Sequence, residues 1–122
     1  MIRTKNIALA IIVLVITAPS AFSEDRRSVE FMLPGCQFEA FRPAPVQDNQ
    51  WSQAFSCRDA LEVAVKNGPT QPAFLKACVP EDTSPHDLAR MVVEFLEKSP
   101  ERYKERFDIR AAAALHSVWP CH

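Results

Sequence analysis

The chain is poor in glycine, with only Gly35 and Gly68 among its 122 residues. A phosphate-binding loop needs several glycines, because its backbone must approach the phosphate closely. Enzymes that rely on such a loop are therefore excluded. No two cysteines have the C-x-x-C spacing, which excludes the common dithiol redox motif and zinc ribbons. No segment alternates apolar and polar residues with period two, so no β-strand is predicted.

Long apolar runs are also lacking, apart from one near the amino terminus. Ile7–Ala18 is uncharged, apolar and preceded by two basic residues, but it is shorter than the roughly 17–25 residues that cross a membrane. Ala21–Ser23 supplies small residues at the −3 and −1 positions of a cleavage site. We therefore predict a signal peptide over residues 1–23 and one mature domain over 24–122. This domain is expected in the periplasm, with no membrane association after cleavage.

Positive charge is not in excess. The leader takes two of the 14 basic residues and none of the 15 acidic ones, so the mature chain has a formal charge of 12 − 15 = −3. A mildly acidic chain without a basic run is a poor binder of nucleic acid. Nucleic acid is therefore not a predicted partner.

All four cysteines lie in the predicted mature chain, at positions 36, 57, 78 and 121. An even number of cysteines in an oxidising compartment favours two disulfides over free thiols. Four cysteines allow three connectivities, and spacing alone does not choose among them.

Helical periodicity begins at "DNQWSQAFSCRDALEVAVKNG". Asp48 or Asn49 can cap this helix, and Asn67-Gly68 is suited to a left-handed stop. The apolar face is predicted to contain Trp51, Ala54, Phe55, Cys57, Leu61, Ala64 and Val65. The preceding segment contains three prolines and Gly35, which predict an irregular lead-in anchored by Cys36 and a phenylalanine.

Proline also marks the next connection and the helix after it. Pro69–Asp82 contains three prolines and is predicted to be irregular, with a helical turn around residues 73–77 as an alternative. In the following helix, Ser84 fits the N-cap, Pro85 the first position and Asp87 the third. This helix is expected to end near Lys98, with an apolar stripe of Leu88, Met91, Val92, Phe95 and Leu96.

Ser99-Pro100 repeats the start signal and predicts a last helix to Trp119, with a break near Asp108 as an alternative. Its buried side is predicted to contain Ile109, Ala112, Ala113, Leu115, Val118 and Trp119. The predicted fold is all-α, a small bundle of three to four helices stapled by two disulfides.

The stretch "ACVPEDTSPHDL" concentrates the reactive side chains. Cys78 could act as a nucleophile with His86, His116 or His122, but this needs a free thiolate. A metal site could use His86 together with Cys78 or Asp82, but the sequence has no second pair of ligands at a recognised spacing. Acidic residues just before a helix, such as Glu81 and Asp82, ordinarily stabilise it by interacting with the positive end of its dipole. We therefore predict no catalytic, metal-binding or cofactor-binding residue. The protein is not expected to be an enzyme.

A family resemblance rests on the order of several motifs. "FMLPGC", a cysteine-containing helix, "ACVPED", "SPHDLARMVVEFLEKSPERY" and "AAAALHSVWPC" are similar to the Rap/Tai family of small periplasmic immunity proteins. The resemblance covers about residues 31–121, with Asp82 where the family has glycine. It implies an all-helical, disulfide-containing homodimer without enzymatic activity. It also implies a protein toxin as partner, a peptidoglycan amidase delivered by type VI secretion, whose Cys-His cleft the immunity protein blocks.

The resemblance does not fix the contacts. We expect Phe74, Glu81 and Asp82 to face the partner, with packing of Phe74 beneath its loop as the alternative. For the disulfides we expect Cys57–Cys78, tying the first long helix to the next one, and Cys36–Cys121, joining the two ends. The alternative function is that of a small periplasmic acid-stress chaperone, which would expose apolar surface as its carboxylates become protonated.

Overall fold

A computed structural model describes residues 25–42 and 47–122. It contains the helices α1 (Val29–Phe41), α2 (Asp48–Asn67), α3 (Pro85–Glu97) and α4 (Phe107–Val118). The described residues form no strand, only two isolated bridges, so the predicted all-α fold is confirmed. None of the described helices is long and apolar enough to cross a bilayer. The predicted signal peptide lies outside the described residues.

Helix α1 occupies a segment for which an irregular lead-in was expected, so that prediction is wrong. The Ser28 hydroxyl caps the helix by accepting a hydrogen bond from the Phe31 N–H at 3.2 Å. Pro34 lies inside the helix, where proline removes one backbone hydrogen bond. Tertiary packing overrides this cost, because Leu33, Cys36 and other α1 side chains enter the core between α2 and α3.

Helices α1 and α2 are in direct backbone contact. A Cβ atom built on Gly35 would lie 2.2 Å from the carbonyl oxygen of Gln53, so only glycine allows this approach. Beside it, the Cys36–Cys57 disulfide joins the two helices with a Cα–Cα distance of 5.2 Å. The two cysteine side chains are 0% exposed.

The disulfides differ from the expected pairing. Two bridges form, but they are Cys36–Cys57 and Cys78–Cys121, so the expected Cys57–Cys78 and Cys36–Cys121 pairs are wrong. The cause is α1, which was not anticipated and which carries Cys36 to the α2 surface. Meanwhile the chain after α2 passes the end of α4, where the Cys78 N–H donates to the Trp119 carbonyl at 2.8 Å.

The buried faces follow the predicted periodicity only in part. The core contains Leu33, Cys36, Cys57, Leu61, Leu88, Ala89, Val92, Val93, Leu96, Phe107, Ala111, Ala114 and Leu115. Four residues predicted to be buried are instead 41–53% exposed: Trp51 and Phe55 of α2, and Ile109 and Val118 of α4. Helix α4 starts at Phe107, which confirms the alternative of a break near Asp108, and Pro100 opens only a short 3₁₀ turn. The buried residues of α4 are Phe107, Arg110, Ala111, Ala112, Ala114 and Leu115, of which only Ala112 and Leu115 were predicted.

The helix ends confirm one predicted cap and correct two others. Ser84 accepts a hydrogen bond from the Asp87 N–H at 3.1 Å, as predicted for the start of α3. Helix α2 is capped by Gln47 and not by Asp48 or Asn49. Gly68 has a right-handed conformation, with φ −51°. Its lack of a side chain is needed for space, because a Cβ there would lie 2.5 Å from the Ala77 carbonyl oxygen.

A buried ion pair links α1 to α2. The Glu39 carboxylate, 4% exposed, accepts hydrogen bonds from Nη2 and Nε of Arg58 at 2.6 and 3.2 Å. The Glu39 carbonyl oxygen also lies 3.2 Å from Nδ1 of His86 in the first turn of α3. The last turn of α1 is thus held to both neighbouring helices.

Replacing Arg58 by methionine is expected to destabilise the protein by about 1–2 kcal/mol, because the buried Glu39 carboxylate loses its partner. Arg58 is itself partly exposed, which keeps the loss below that of a fully buried pair. Urea unfolding of Arg58→Met, Glu39→Gln and the double variant measures the coupling. A double variant as unstable as the sum of the two single variants would show that the pair contributes nothing.

Candidate functional site

Val79–Thr83 forms a ridge between α2 and α3, and this segment is called the ridge below. A turn closes it, in which the Thr83 N–H donates to the Pro80 carbonyl oxygen at 3.1 Å. Glu81 and Asp82 lie in this turn and are exposed. Two of the three predicted partner-binding residues, which are neighbours in the sequence, therefore lie in one exposed turn.

One end of the ridge is fixed to the segment that follows α4, and the other end leads directly into α3. On one side, Cys78 is bonded to Cys121, and an antiparallel bridge pairs Ala77 with Pro120. On the other side, Ser84 caps α3. The ridge is therefore a short irregular segment on a rigid support, which is an arrangement suited to presenting a binding surface.

Two grooves flank the ridge. The first groove has a volume of about 360 Å³ and lies on the α2 side, lined by Arg58, Leu61, Glu62, Val65, Val79, Pro80, Glu81, Thr83, Pro85 and Leu88. The second groove is more open, about 550 Å³, and is lined by Pro80, Asp82, Thr83, Asp87, Arg90, Met91, Glu94 and Trp119. Pro80 and Thr83 belong to both grooves, so the ridge is the wall between them.

The ridge and its grooves are acidic. Five carboxylates, of Glu62, Glu81, Asp82, Asp87 and Glu94, line them, against the guanidinium groups of Arg58 and Arg90, a formal charge of 2 − 5 = −3. Arg58 is already engaged with Glu39, and Arg90 lies 3.6 Å from Asp87. Such a surface attracts a positively charged partner and repels an acidic one.

Phe74 lies apart from this surface. Its side chain is 72% exposed, so the alternative that it packs beneath the loop is wrong, and the expectation that it faces the partner stays a prediction. The next residue, Leu75, lines a separate hollow between α2 and α4, together with Val63 and Ile109. Val63 and Ile109 are exposed apolar residues that the sequence did not single out as surface residues.

The catalytic alternatives find no support in the geometry. Cys78 is bonded to Cys121 and all four cysteines are in disulfides, so no free thiolate exists. The Nδ1 atoms of His86 and His116 lie near backbone carbonyl oxygens, those of Glu39 and Lys76. Across residues 25–42 and 47–122, no three His, Cys, Asp or Glu side chains are grouped to hold a metal ion. What the site offers is a shaped, charged surface for binding.

One protein-family model matches the segment that contains the ridge. Residues 74–121 match the family model of the Rap1a immunity proteins. The resemblance to the Rap/Tai family is thereby confirmed for the segment that runs from Phe74 through the ridge, α3 and α4 to Cys121. Searches of curated proteins and of solved structures find no match.

The Rap1a match begins at Phe74, after the end of α2, although α2 supplies one wall of the first groove. Arg58, Glu62 and Val65 form this wall, and sequence reasoning assigned them no functional role. Their spacing places them on one side of a helix, which is the only signal that they lie together. Nothing in the sequence shows that this side faces the ridge.

Proposed function

We propose that this protein binds a toxin and blocks it, as an immunity protein of the Rap1a type. The observation that carries the proposal is the Rap1a match over residues 74–121, which includes the whole ridge and the α3 side of the second groove. Immunity proteins of this kind act by binding and not by catalysis. The ridge agrees with this role, because it presents shape and charge without a reactive thiol.

The toxin that we propose is a peptidoglycan amidase with a Cys-His catalytic cleft, delivered by type VI secretion. The ridge would enter the cleft and exclude the substrate. Its support by the Cys78–Cys121 bridge and the Ser84 cap favours tight binding, since a segment that is already ordered loses little entropy in the complex.

We further propose that the protein acts in the periplasm as a homodimer. The predicted leader over residues 1–23 would export it to the compartment in which such amidases attack peptidoglycan. The two disulfides agree with an oxidising compartment. Light scattering of the mature protein over a range of concentrations tests the dimer.

The decisive experiment is co-purification of the mature protein with the product of a neighbouring gene for a secreted cell-wall hydrolase. We expect a stable complex and loss of peptidoglycan cleavage when the two proteins are mixed in equal amounts. A hydrolase that keeps full activity, without forming a complex, would contradict the immunity function. Binding without inhibition would support a partner role but reject occlusion.

Charge reversal on the ridge should weaken the complex. We expect Glu81→Lys or Asp82→Lys to lower toxin affinity by about tenfold, because the change replaces attraction by repulsion at the interface. Both side chains are exposed, so the free energy of unfolding should change by no more than about 0.5 kcal/mol. Glu101→Lys, at an exposed acid of the 3₁₀ turn Pro100–Arg102, is the matched control. Calorimetric titration that finds all three variants equal would place the interface elsewhere.

A further inference from the structure

The first groove combines an apolar floor with an acidic rim. Leu61 and Leu88 of the floor belong to the core and are almost fully buried, and Val65 and Val79 pack partly against it. Its volume of about 360 Å³ exceeds the roughly 150 Å³ at which a dry apolar cavity accepts a benzene-sized group. One large aliphatic side chain with part of its backbone fits this space.

The charges at the rim narrow the choice of ligand. Glu62 on α2 and Glu81 on the ridge stand on opposite walls of the groove. Neither forms a salt bridge with another of the described residues. The basic group at the rim, Arg58, is held by the buried Glu39 carboxylate. The free charge at the rim is therefore negative on both walls.

We propose that the first groove binds an aliphatic side chain flanked by basic residues, presented by a loop of the toxin. This inference rests on the proposed function and adds the chemistry of recognition to it. The aliphatic group would cover the floor, while the flanking cations would meet Glu62 and Glu81. The α2 wall, which lies outside the Rap1a-matched segment, would thereby contribute to the choice of partner.

The first test uses short peptides and needs no toxin. Amide resonances of the ¹⁵N-labelled mature protein are followed during titration with acetyl-Lys-Leu-Lys-amide, acetyl-Glu-Leu-Glu-amide and acetyl-Lys-Ser-Lys-amide. We expect saturable shifts at Leu61, Glu62, Val65, Glu81 and Leu88 with the first peptide alone. Equal shifts with the acidic peptide, or shifts that avoid the groove, would overturn the proposal. Shifts of the same amides on raising the protein concentration without peptide would assign the groove to a second copy, and would also overturn it.

Three variants distinguish groove binding from a change of fold. Val65→Trp fills the groove, and Val63→Trp introduces the same side chain at a position on α2 that is 58% exposed. We expect the first variant to lose peptide binding and the second to keep it. Glu62→Lys alters an exposed rim residue, so its fold should be unchanged, and it should weaken peptide binding about tenfold. Full binding by both Val65→Trp and Glu62→Lys would reject the groove.

The same variants, mixed with the hydrolase, separate this inference from the proposed function. Equal inhibition of the hydrolase by the wild type, Val65→Trp and Glu62→Lys would support the immunity function and reject the groove proposal. Peptide binding in the groove without any inhibition of the hydrolase would support the groove as a binding site and contradict the immunity function.

Discussion

Replacing Gly35 by alanine is expected to destabilise the protein by about 2 kcal/mol, although alanine is the better helix former. The new Cβ atom would lie 2.2 Å from the carbonyl oxygen and 2.6 Å from the carbonyl carbon of Gln53. Both are backbone atoms of α2, so no rotamer change can relieve the overlap, and α1 must move away from α2.

Two opposing effects decide the size of this loss. Alanine in place of a helical glycine gains about 1 kcal/mol, whereas overpacking a core costs about 1–3 kcal/mol and occasionally more. The contact at Gly35 involves backbone on both sides and lies beside the fully buried Cys36–Cys57 bridge, so we expect the upper end of that range. Overpacking should therefore outweigh propensity.

Thermal unfolding measures the outcome. A loss of about 2 kcal/mol lowers the melting temperature of a domain of this size by roughly 8–16 °C. Ser56→Ala serves as control, because Ser56 is exposed on α2 and alanine there adds helix propensity without a clash. A Gly35→Ala variant that melts at or above the wild-type temperature would show that α1 and α2 are not packed so closely.

The local signals in the sequence predicted what depends on local chemistry. Ser84 followed by Pro85 placed the start of α3 correctly, because an N-cap is made within one turn of the chain. The apolar periodicity predicted the long helix α2. The even number of cysteines predicted that there are two disulfides. Glu81 and Asp82 are exposed, and their expected contact with the partner stays a prediction.

The failures concern effects that come from distant parts of the chain. Pro34 and Gly35 argue locally against a helix, yet they lie in α1, and packing against α2 and α3 explains why. That one error carried over to the disulfides, since without α1 nothing brings Cys36 to Cys57. The first groove was missed for the same reason. Its two walls face each other in space, but in the sequence the whole connection between α2 and the ridge lies between them.

The two disulfides are expected to respond differently to a mild reductant. Cys78 is exposed, whereas both cysteines of the Cys36–Cys57 bridge are fully buried. Since thiol–disulfide exchange requires an attacking thiolate to reach the sulfur atom, Cys78–Cys121 should be cleaved first. Timed alkylation followed by mass spectrometry should show an intermediate labelled only at Cys78 and Cys121. Simultaneous labelling of all four cysteines would contradict this order.

Loss of the Cys78–Cys121 bridge should have the largest effect on both stability and binding. The cysteines are 43 residues apart, and in the chain-entropy model closing a loop of that length stabilises a protein by about 4 kcal/mol. This is a large part of the roughly 5–15 kcal/mol that keeps a small domain folded. The bridge also fixes the residue that precedes the ridge, so Cys78→Ala/Cys121→Ala should weaken toxin binding even at temperatures where the protein remains helical.

The double variant Cys36→Ala/Cys57→Ala provides the comparison, because its loop of 21 residues gives about 3 kcal/mol from chain entropy. Removal of two buried sulfur atoms adds a packing loss to this. Its instability should therefore approach that of Cys78→Ala/Cys121→Ala, while the ridge keeps its support at Cys121. If toxin affinity, measured well below both melting temperatures, falls only when Cys78–Cys121 is absent, the ridge is the binding element. An equal fall in both variants would mean that general rigidity, and not the anchoring of the ridge, determines affinity.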